Sequence, residues 1–309
     1  MQRVWQANRD GTNGVEKALL VSKLPKMNPE TRAIWLFFWI KRRLGLSQLG
    51  RPARPPARPS KKDLRGLLLE REVISGRDVY TLSPPEPKRQ LVYLHRGGYV
   101  QPIATQHWQL VTKIAREADC KVILPLYGLA PRNTVDDVLR LMTEVLDRLD
   151  DLPLVLGGDS AGGGLALALA QNKKWQSRAQ LLLLISPWVE ASIQDEESKH
   201  LEKIDPWLSA EALGYIAGVW SGVGDVARLE VSPLRGTFEG LPATQLFIGD
   251  VDLLYLQGRE LATALRSSNV NLQLHEVSGA LHVYPLIPTR DGLEAQKLII
   301  DTVSKTESN

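Results

Sequence analysis

A serine set between glycines is the part of this sequence with the clearest chemical potential. Residues 154–170 read LVLGGDSAGGGLALALA, so an apolar run of strand type leads through GDSAG at 158–162 into an apolar run of helix type. A G-x-S-x-G turn between a strand and a helix exposes the serine hydroxyl on a sharp bend, where it can act as a nucleophile. The alternative is a glycine-rich turn with a capping serine. The flanking strand and helix favour Ser160 as a nucleophile that attacks an acyl carbonyl.

A second glycine-containing turn could stabilise the negative oxygen that such an attack creates. The apolar run QLVYL at 90–94 is followed by HRGGY at 95–99. Backbone N–H groups reach a tetrahedral oxygen most easily where no side chain intervenes. Gly97 and Gly98 are therefore candidate oxyanion-hole donors. The N–H of Ala161 is a third, because it lies at a helix N-terminus.

A nucleophilic serine needs a base, and the base needs an orienting carboxylate. The histidines are His95, His107, His200, His275 and His282. In one common triad order the serine comes first, then the acid, then the histidine. Only three histidines follow Ser160. His200 lies in an irregular stretch and His275 in the alternating run NLQLHEV, which leaves His282 in the predicted loop 279–284 as the candidate base.

The orienting acid should follow the strand that precedes this histidine. Residues 243–254 read ATQLFIGDVDLL, and both Asp250 and Asp252 come directly after the apolar run. Residue types alone do not decide which of the two carboxylates is the triad acid. The other would cap a turn.

Alternating strands and helices must position these residues. Short apolar runs rich in Val, Ile and Leu predict buried strands at 91–94, 122–124, 154–156, 181–185 and 246–248. Helix-like stretches lie at 106–119, 135–149, 161–170, 256–267 and 293–305. Two further strands, at 70–75 and 78–82, predict an antiparallel hairpin at the start of the sheet. Repeated alternation of this kind predicts a doubly wound α/β fold.

Composition and charge limit the remaining classes. The 309 residues are 43% hydrophobic and 24% charged, which is typical of a globular protein, and a single cysteine excludes an intrachain disulfide. Residues 1–65 carry fifteen Lys and Arg against four Asp and Glu, although the whole chain has a net charge of only +3. The aromatic and glycine patterning of RNA-binding modules is absent, so no nucleic-acid partner is expected.

The N-terminal region contains the run AIWLFFWI at 33–40. Eight apolar residues are too few to span a bilayer, which needs about twenty. We expect a helix capped by Thr31 and ended by Gly45 or Gly50. It has two interpretations: a cap helix over the site, or an interfacial helix in which residues 31–43 contact a membrane surface. The start of the chain lacks an apolar leader, which favours a cytoplasmic location.

The chain resembles the hormone-sensitive-lipase-like branch of the α/β-hydrolases, the fold-3 esterases, over about residues 88–305. The matching segments are HRGGYV (95–100), YGLAP (127–131), GGDSAGG (157–163), SPW (186–188), DPWLS (205–209), SPL (232–234), GDVDLL (249–254) and GALHVY (279–284). The resemblance implies a mostly parallel eight-stranded sheet flanked by helices, with a core of 66–189 and 235–309. It implies a helical cap formed by segment 1–65 and insertion 190–234.

The same resemblance implies a catalytic role for three residues and the absence of any cofactor or metal. The triad would be Ser160, Asp252 and His282, with Gly97, Gly98 and Ala161 in the oxyanion hole. The implied reaction is hydrolysis of carboxylic esters with short or medium acyl chains, acetyl esters included. A narrower similarity to fungal members that deacetylate sterols or act on natural-product intermediates is also present.

Two departures from the family pattern affect the substrate. Arg96 replaces the first glycine of the usual HGGG, and RNTV at 132–135 replaces the usual acidic residue and Phe-Pro-Ala. Arg96 and Tyr99 are therefore candidate substrate contacts. Two other functions stay open: non-hydrolytic triad chemistry such as cyclisation or condensation, and non-catalytic binding of a small molecule. A small-molecule partner is expected in each case, and a homodimer is a further expectation.

Overall fold

The computed structural model describes residues 26–44, 55–193, 195–222 and 224–307. The strands are β1 Leu68–Ile74, β2 Arg77–Ser83, β3 Arg89–Leu94, β4 Cys120–Pro125, β5 Leu154–Asp159, β6 Ala179–Ile185, β7 Ala243–Val251 and β8 Leu272–Leu281. The helices are α1 Pro29–Arg43, α2 Thr105–Glu117, α3 Val135–Asp147, α4 Ala161–Gln171, α5 Lys173–Gln176, α6 Glu196–Ile204, α7 Ala210–Trp220, α8 Tyr255–Ser267 and α9 Arg290–Ser304.

The strands form one sheet in the order β1-β2-β4-β3-β5-β6-β7-β8. β2 pairs antiparallel with β1 and with β4, and the strands from β4 to β8 run parallel. Every residue of β3 and β5 is buried, which explains the apolar runs LVYL and LVL within them, because helices cover both faces of a parallel sheet. The predicted eight-stranded, mostly parallel α/β fold is confirmed.

The register of the parallel strands brings three distant segments to the same edge of the sheet. Asp159, the last residue of β5, pairs with Ile185, and Ile185 pairs with Phe247 of β7. Val251 of β7 pairs with Leu281 of β8. Residues 160, 252 and 282 therefore follow the carboxyl ends of β5, β7 and β8, at the same edge of the sheet.

Two predicted boundaries were wrong. β8 continues through Leu281 instead of ending before a loop at 279–284, because Gly279, at φ +77°, allows the register shift that restores pairing with β7. α1 begins at Pro29 and is capped by Asn28, whose side-chain oxygen accepts from the N–H of Thr31 at 2.8 Å. Proline fits the first helical position, so the cap lies before it and not at Thr31. Gly45 and Gly50 lie outside the described residues.

α1 packs on the insertion that contains α6 and α7. The indole N–H of Trp35 donates to the carbonyl oxygen of Ile204 at 2.7 Å, and the ring of Phe38 meets the edge of Trp207 at 5.1 Å between centroids. These contacts join the N-terminal segment to the insertion. Within the described ranges no helix is both long enough and apolar enough to cross a membrane.

Candidate active site

Ser160 lies on the turn between β5 and α4 in a conformation that few residues adopt. Its φ is +53° and its ψ is −120°, and its backbone N–H donates to the carbonyl oxygen of Ile185 at 2.8 Å. A β-carbon at Gly158 or at Gly162 would collide with the carbonyl oxygen of Leu94. The glycines therefore allow the turn to pack against β3. This turn holds the serine hydroxyl above the sheet.

The three residues predicted as a triad form a continuous hydrogen-bonded row. Nε2 of His282 lies 2.9 Å from Oγ of Ser160, and Nδ1 of His282 lies 2.8 Å from Oδ2 of Asp252. The exposed fractions are 6% for Ser160, 2% for His282 and 1% for Asp252. Asp250 instead accepts from Ser278 and from the N–H of Gly279, so it fixes β8 where the register with β7 shifts. The structure thus places Asp252, and not Asp250, beside the imidazole.

Neighbouring bonds define the proton positions in this row. The other oxygen of Asp252, Oδ1, accepts from the N–H of Leu254 at 2.8 Å. A carboxylate can only accept, so Nδ1 of His282 carries the proton and Nε2 presents a lone pair to the serine hydroxyl. Val283, at φ +52°, donates its N–H to Oγ of Ser186 at 3.0 Å. Ser186 thereby fixes the loop of the histidine, a role that the SPW motif alone did not reveal.

The glycine turn after β3 has free backbone donors. Gly97 is at φ +134°, and its carbonyl oxygen accepts from the N–H groups of Val100 and Gln101 at 3.0 and 2.9 Å. In the part of the chain that the structure describes, the N–H groups of Gly97, Gly98 and Ala161 have no protein acceptor. Such unpaired amides beside a nucleophile can stabilise an oxyanion.

Asp159 connects the serine turn to the glycine turn. Its Oδ1 accepts from the hydroxyl of Tyr93 at 2.9 Å and from the N–H of Arg96 at 3.0 Å. Its Oδ2 lies 3.3 Å from Nε2 of His107 and 3.6 Å from Nε of Arg96. Burial raises the pKa of this carboxyl, but the charges and hydrogen bonds of His107, Arg96 and Tyr93 outweigh burial, so the pKa lies below its ordinary value.

His95 packs beside this cluster. Its ring stacks on Tyr127 at 4.5 Å between centroids and lies 5.8 Å from the ring of His107. Burial, followed by repulsion from His107, lowers the pKa of His95 to about 4. The imidazole is therefore neutral near pH 7.

The two candidate substrate contacts have protein partners in this structure. Arg96 directs Nε toward Asp159 and leaves about one third of its side chain exposed. Tyr99 is buried; its hydroxyl donates to the carbonyl oxygen of Ala161 at 2.8 Å, and its ring stacks on Trp220 of α7 at 4.0 Å and 4°. Tyr99 thus links α7 of the insertion to α4, the helix that follows Ser160. Contact of Arg96 or Tyr99 with substrate stays a prediction.

Metal ligation has no candidate in the described ranges, where no group of three or more His, Cys, Asp or Glu residues is arranged to hold an ion. The chemistry available at this edge of the sheet is that of the serine, the imidazole, the carboxylate and the unpaired amides.

A serine turn followed along the chain by an acid and then a histidine, each leaving its own strand, is the arrangement of α/β-hydrolases. A sequence profile described as the alpha/beta hydrolase fold matches residues 91–286. The chain therefore belongs to the hormone-sensitive-lipase-like, fold-3 branch of the α/β-hydrolases.

Relatives and solved structures agree with this family. LipR of Mycobacterium tuberculosis, named as a proposed acetyl-hydrolase, is 28% identical over 79% of this chain and 80% of its own length. An ethyl acetate hydrolase of Pseudomonas putida is 32% identical over 62% of this chain and 64% of its own. The crystal structure of an esterase from the bacterial hormone-sensitive lipase family superposes with a TM-score of 0.75 at 23% identity, covering 91% of this chain and 99% of its own. That structural likeness shows the fold.

Proposed function

We propose that this chain hydrolyses carboxylic esters of short or medium acyl chains through a covalent intermediate on Ser160. The observation that supports the proposal is the hydrogen-bonded row from Asp252 through His282 to Ser160, with bonds of 2.8 and 2.9 Å. Nucleophile, base and orienting acid at these distances are what acyl transfer by serine requires.

The proposed reaction has two steps. Oγ of Ser160 attacks the ester carbonyl while Nε2 of His282 takes its proton, and the C–O bond to the alcohol breaks as His282 returns that proton to the leaving oxygen. Water, deprotonated by His282, then attacks the acyl-serine. The C–O bond to Oγ of Ser160 breaks as His282 returns the proton to Oγ, and the acid is released. Asp252 holds the imidazole tautomer in both steps and stabilises the imidazolium.

The unpaired amides supply the second requirement of this mechanism. The N–H groups of Gly97, Gly98 and Ala161 would donate to the carbonyl oxygen as it becomes negative. Loss of one such donor in a comparable enzyme costs about 2.7–4 kcal/mol of transition-state stabilisation. The amides already stand without protein partners, so they need no rearrangement before the reaction.

Two observations support a short or medium acyl chain. Ile216 of the cap helix α7 lies over the glycine turn, with its Cδ1 3.7 Å from the position of a β-carbon on Gly98. Ser160 is only 6% exposed, so space above the hydroxyl is limited. The names of the relatives, an ethyl acetate hydrolase and a proposed acetyl-hydrolase, describe small acyl groups and agree with that limit.

Replacement of Ser160 by alanine tests the proposal. We expect Ser160→Ala to lose turnover of p-nitrophenyl acetate and butyrate, while Ser267→Ala, on the exposed end of α8, retains it. Mass spectrometry of the parent should show an acyl group on Ser160. Unchanged turnover in Ser160→Ala would refute the mechanism. Turnover of a substrate without any Ser160 adduct would favour cyclisation or condensation by the same residues.

The outer face of α1 supports a separate proposal about partners, that this helix contacts anionic membrane surfaces. Leu36, Phe37 and Ile40 form one apolar stripe, and Phe37 and Ile40 are 53% and 44% exposed. The amine of Lys41 lies 4.5 Å from the centroid of the Phe37 ring. A basic group beside an exposed apolar stripe is the pattern of helices that lie in an interface.

Flotation with vesicles tests this contact. We expect the chain to float with phosphatidylcholine vesicles that contain phosphatidylglycerol, and to lose flotation when Phe37 and Ile40 are both replaced by serine. Leu293→Ser, which removes another half-exposed side chain on α9, is the matched control. Absence of flotation by the parent would contradict the contact. Light scattering of the same sample would show whether the expected homodimer forms.

A further inference from the structure

We propose that Asp205, a buried carboxylate of the cap insertion, is a positioning residue for the triad, and that it makes the orientation of Asp252 depend on the cap. The inference rests on the proposed function, because it assigns a role within the same reaction. Asp205 follows the last residue of α6 and is fully buried, although it is more than forty positions from Asp252 along the chain.

The two residues directly after the triad acid donate their backbone N–H groups to two different buried carboxylates. The N–H of Leu253 donates to Oδ2 of Asp205 at 2.8 Å, and the N–H of Leu254 donates to Oδ1 of Asp252, also at 2.8 Å. The turn that carries Asp252 is thus held on one side by its own side chain and on the other by the cap. Loss of the Asp205 bond would leave a buried N–H without an acceptor and release one side of the turn.

The rest of Asp205 is tied to other parts of the cap. Its Oδ1 accepts from the N–H groups of Trp207 and Leu208 at 2.7 and 2.9 Å. Its carbonyl oxygen accepts from Nη1 of Arg42 in α1 at 2.5 Å. One residue therefore connects the N-terminal helix, the insertion and the triad loop. Displacement of the cap would therefore break or shift the hydrogen bond to the N–H of Leu253, the residue next to Asp252.

The charge of Asp205 also acts on the imidazole. Burial raises the pKa of Asp205 above its ordinary value, the nearby Asp252 raises it further, and His282 opposes both. Two buried carboxylates are most easily kept ionised when the histidine is positive. The pair therefore favours the imidazolium that forms when Ser160 is deprotonated. The other charged groups here are Arg42, bonded to the Asp205 carbonyl, and Glu202, whose carboxylate lies 3.7 Å from Arg42.

Substitution of Asp205 by asparagine tests both effects. Asp205→Asn keeps the shape but removes the charge and replaces one acceptor by a donor. We expect kcat for p-nitrophenyl acetate to fall about ten- to a hundredfold with little change in KM, because the triad is displaced slightly. The acid limb of the kcat/KM profile should move to lower pH, because removal of a nearby negative charge makes the imidazolium that forms in the reaction less stable.

Asp195→Asn is the matched control. Asp195 also lies in the insertion, caps α6 and accepts from the N–H of Ser198, but it has no bond to the triad loop. Asp195→Asn should change neither kcat nor the pH profile. If Asp205 has only a structural role, Asp205→Asn will lower the melting temperature and the fraction of active protein. In that case kcat per active site and the acid limb of the pH profile will match those of the parent, and the proposal will be overturned.

Asp205→Glu keeps the experiment decisive if the asparagine variant does not fold. The longer side chain retains the charge but misplaces the acceptor for Leu253. We expect kcat to fall while the acid limb stays in place, and an unchanged kcat would reject the positioning role. Parent activity that depends on Ser160 is unaffected by either outcome, so failure here is distinct from failure of the proposed function. A fluorophosphonate probe that reacts with Ser160 gives the same pH readout without an ester substrate.

Discussion

The structure has two buried aspartate–histidine pairs near the serine turn, one that reaches Ser160 and one formed by Asp159, the residue before it. In one pair, Oδ2 of Asp252 lies 2.8 Å from Nδ1 of His282. In the other, Oδ2 of Asp159 lies 3.3 Å from Nε2 of His107. Each imidazole is at most 2% exposed, and each aspartate is almost completely buried.

The second ring nitrogen distinguishes the two pairs. In His282 this nitrogen, Nε2, lies 2.9 Å from the hydroxyl oxygen of Ser160. In His107 it is Nδ1, which accepts from the backbone N–H of Ala104 at 2.9 Å. A histidine oriented by a carboxylate becomes a base only when its other nitrogen meets a nucleophile. With a backbone partner instead, the same pair joins the first turn of α2 to the end of β5.

Removal of the two imidazoles should give the largest contrast. We expect His282→Ala to lower kcat for p-nitrophenyl acetate by about 10⁴–10⁶-fold, because no other group can take the serine proton. His107→Ala should stay within about tenfold of the parent, since a supporting side chain acts only through loop position. Comparable losses in both variants would show that the comparison is mistaken.

Removal of the orienting charge should have the next largest effect. Asp252→Asn should lower kcat by about 10⁴-fold, because asparagine favours the wrong histidine tautomer. Asp250→Asn, two positions away and bonded to Ser278, is the control and should retain kcat. Steady-state kinetics at one pH suffice for this test. A smaller loss in Asp252→Asn than in the control would indicate that Asp250 is the acid.

Burial of His95, whose ring lies beside that of His107, should make the protein less stable in acid. His95 has a folded pKa of about 4, against an ordinary value of about 6.5, so between these values the unfolded chain binds a proton that the folded chain does not. The free energy of unfolding should therefore fall as pH falls through this window, by at most about 1.4 kcal/mol per pH unit from this group.

Urea denaturation of the parent and of His95→Asn measures that contribution. Asparagine keeps an N–H that can donate to the carbonyl oxygen of Arg96, as Nδ1 of His95 does at 2.7 Å. The variant should lose less stability than the parent between pH 6.5 and 4. Equal losses would mean that His95 is protonated in the folded protein.

The smallest expected effect concerns the hydroxyl of Tyr93. Tyr93→Phe removes its 2.9 Å hydrogen bond to Asp159 without changing the packing of the ring. We expect the free energy of unfolding to fall by about 1–3 kcal/mol, because a buried carboxylate oxygen loses a donor. Turnover should change little, since His282 is not involved. A large loss of kcat would place Asp159 closer to the reaction than the structure does.

The predictability of the two pairs differs for a physical reason. Ser160, Asp252 and His282 follow the carboxyl ends of three parallel strands, β5, β7 and β8, and strand-like sequence with a fixed order of residue types predicts that they meet there. The choice of Asp252 over Asp250 came from the family resemblance. His107 and Asp205 reach the site from α2 and from the cap insertion, so their contacts depend on tertiary packing that residue spacing does not encode. His107 precedes the serine, which argued against it as a base.

Local boundaries show the same limit. The apolar runs predicted the strands to within a few residues, but β8 extends to Leu281 because β7 pairs with it beyond a register shift. Pairing of this kind is a property of two strands and not of either sequence alone. The Arg96 substitution was visible in the sequence, whereas its 3.6 Å approach to Asp159 was not.

The parallel stack of Tyr99 and Trp220, 4.0 Å apart, gives the molecule an intrinsic optical probe. Trp220 is the last residue of α7, and Tyr99 follows the glycine turn. Any excursion that lifts this helix would transfer a fully buried indole into water and shift its fluorescence to longer wavelength. Stopped-flow emission, compared with Trp220→Phe to subtract the other tryptophans, would therefore time any such movement of α7 in an unlabelled protein.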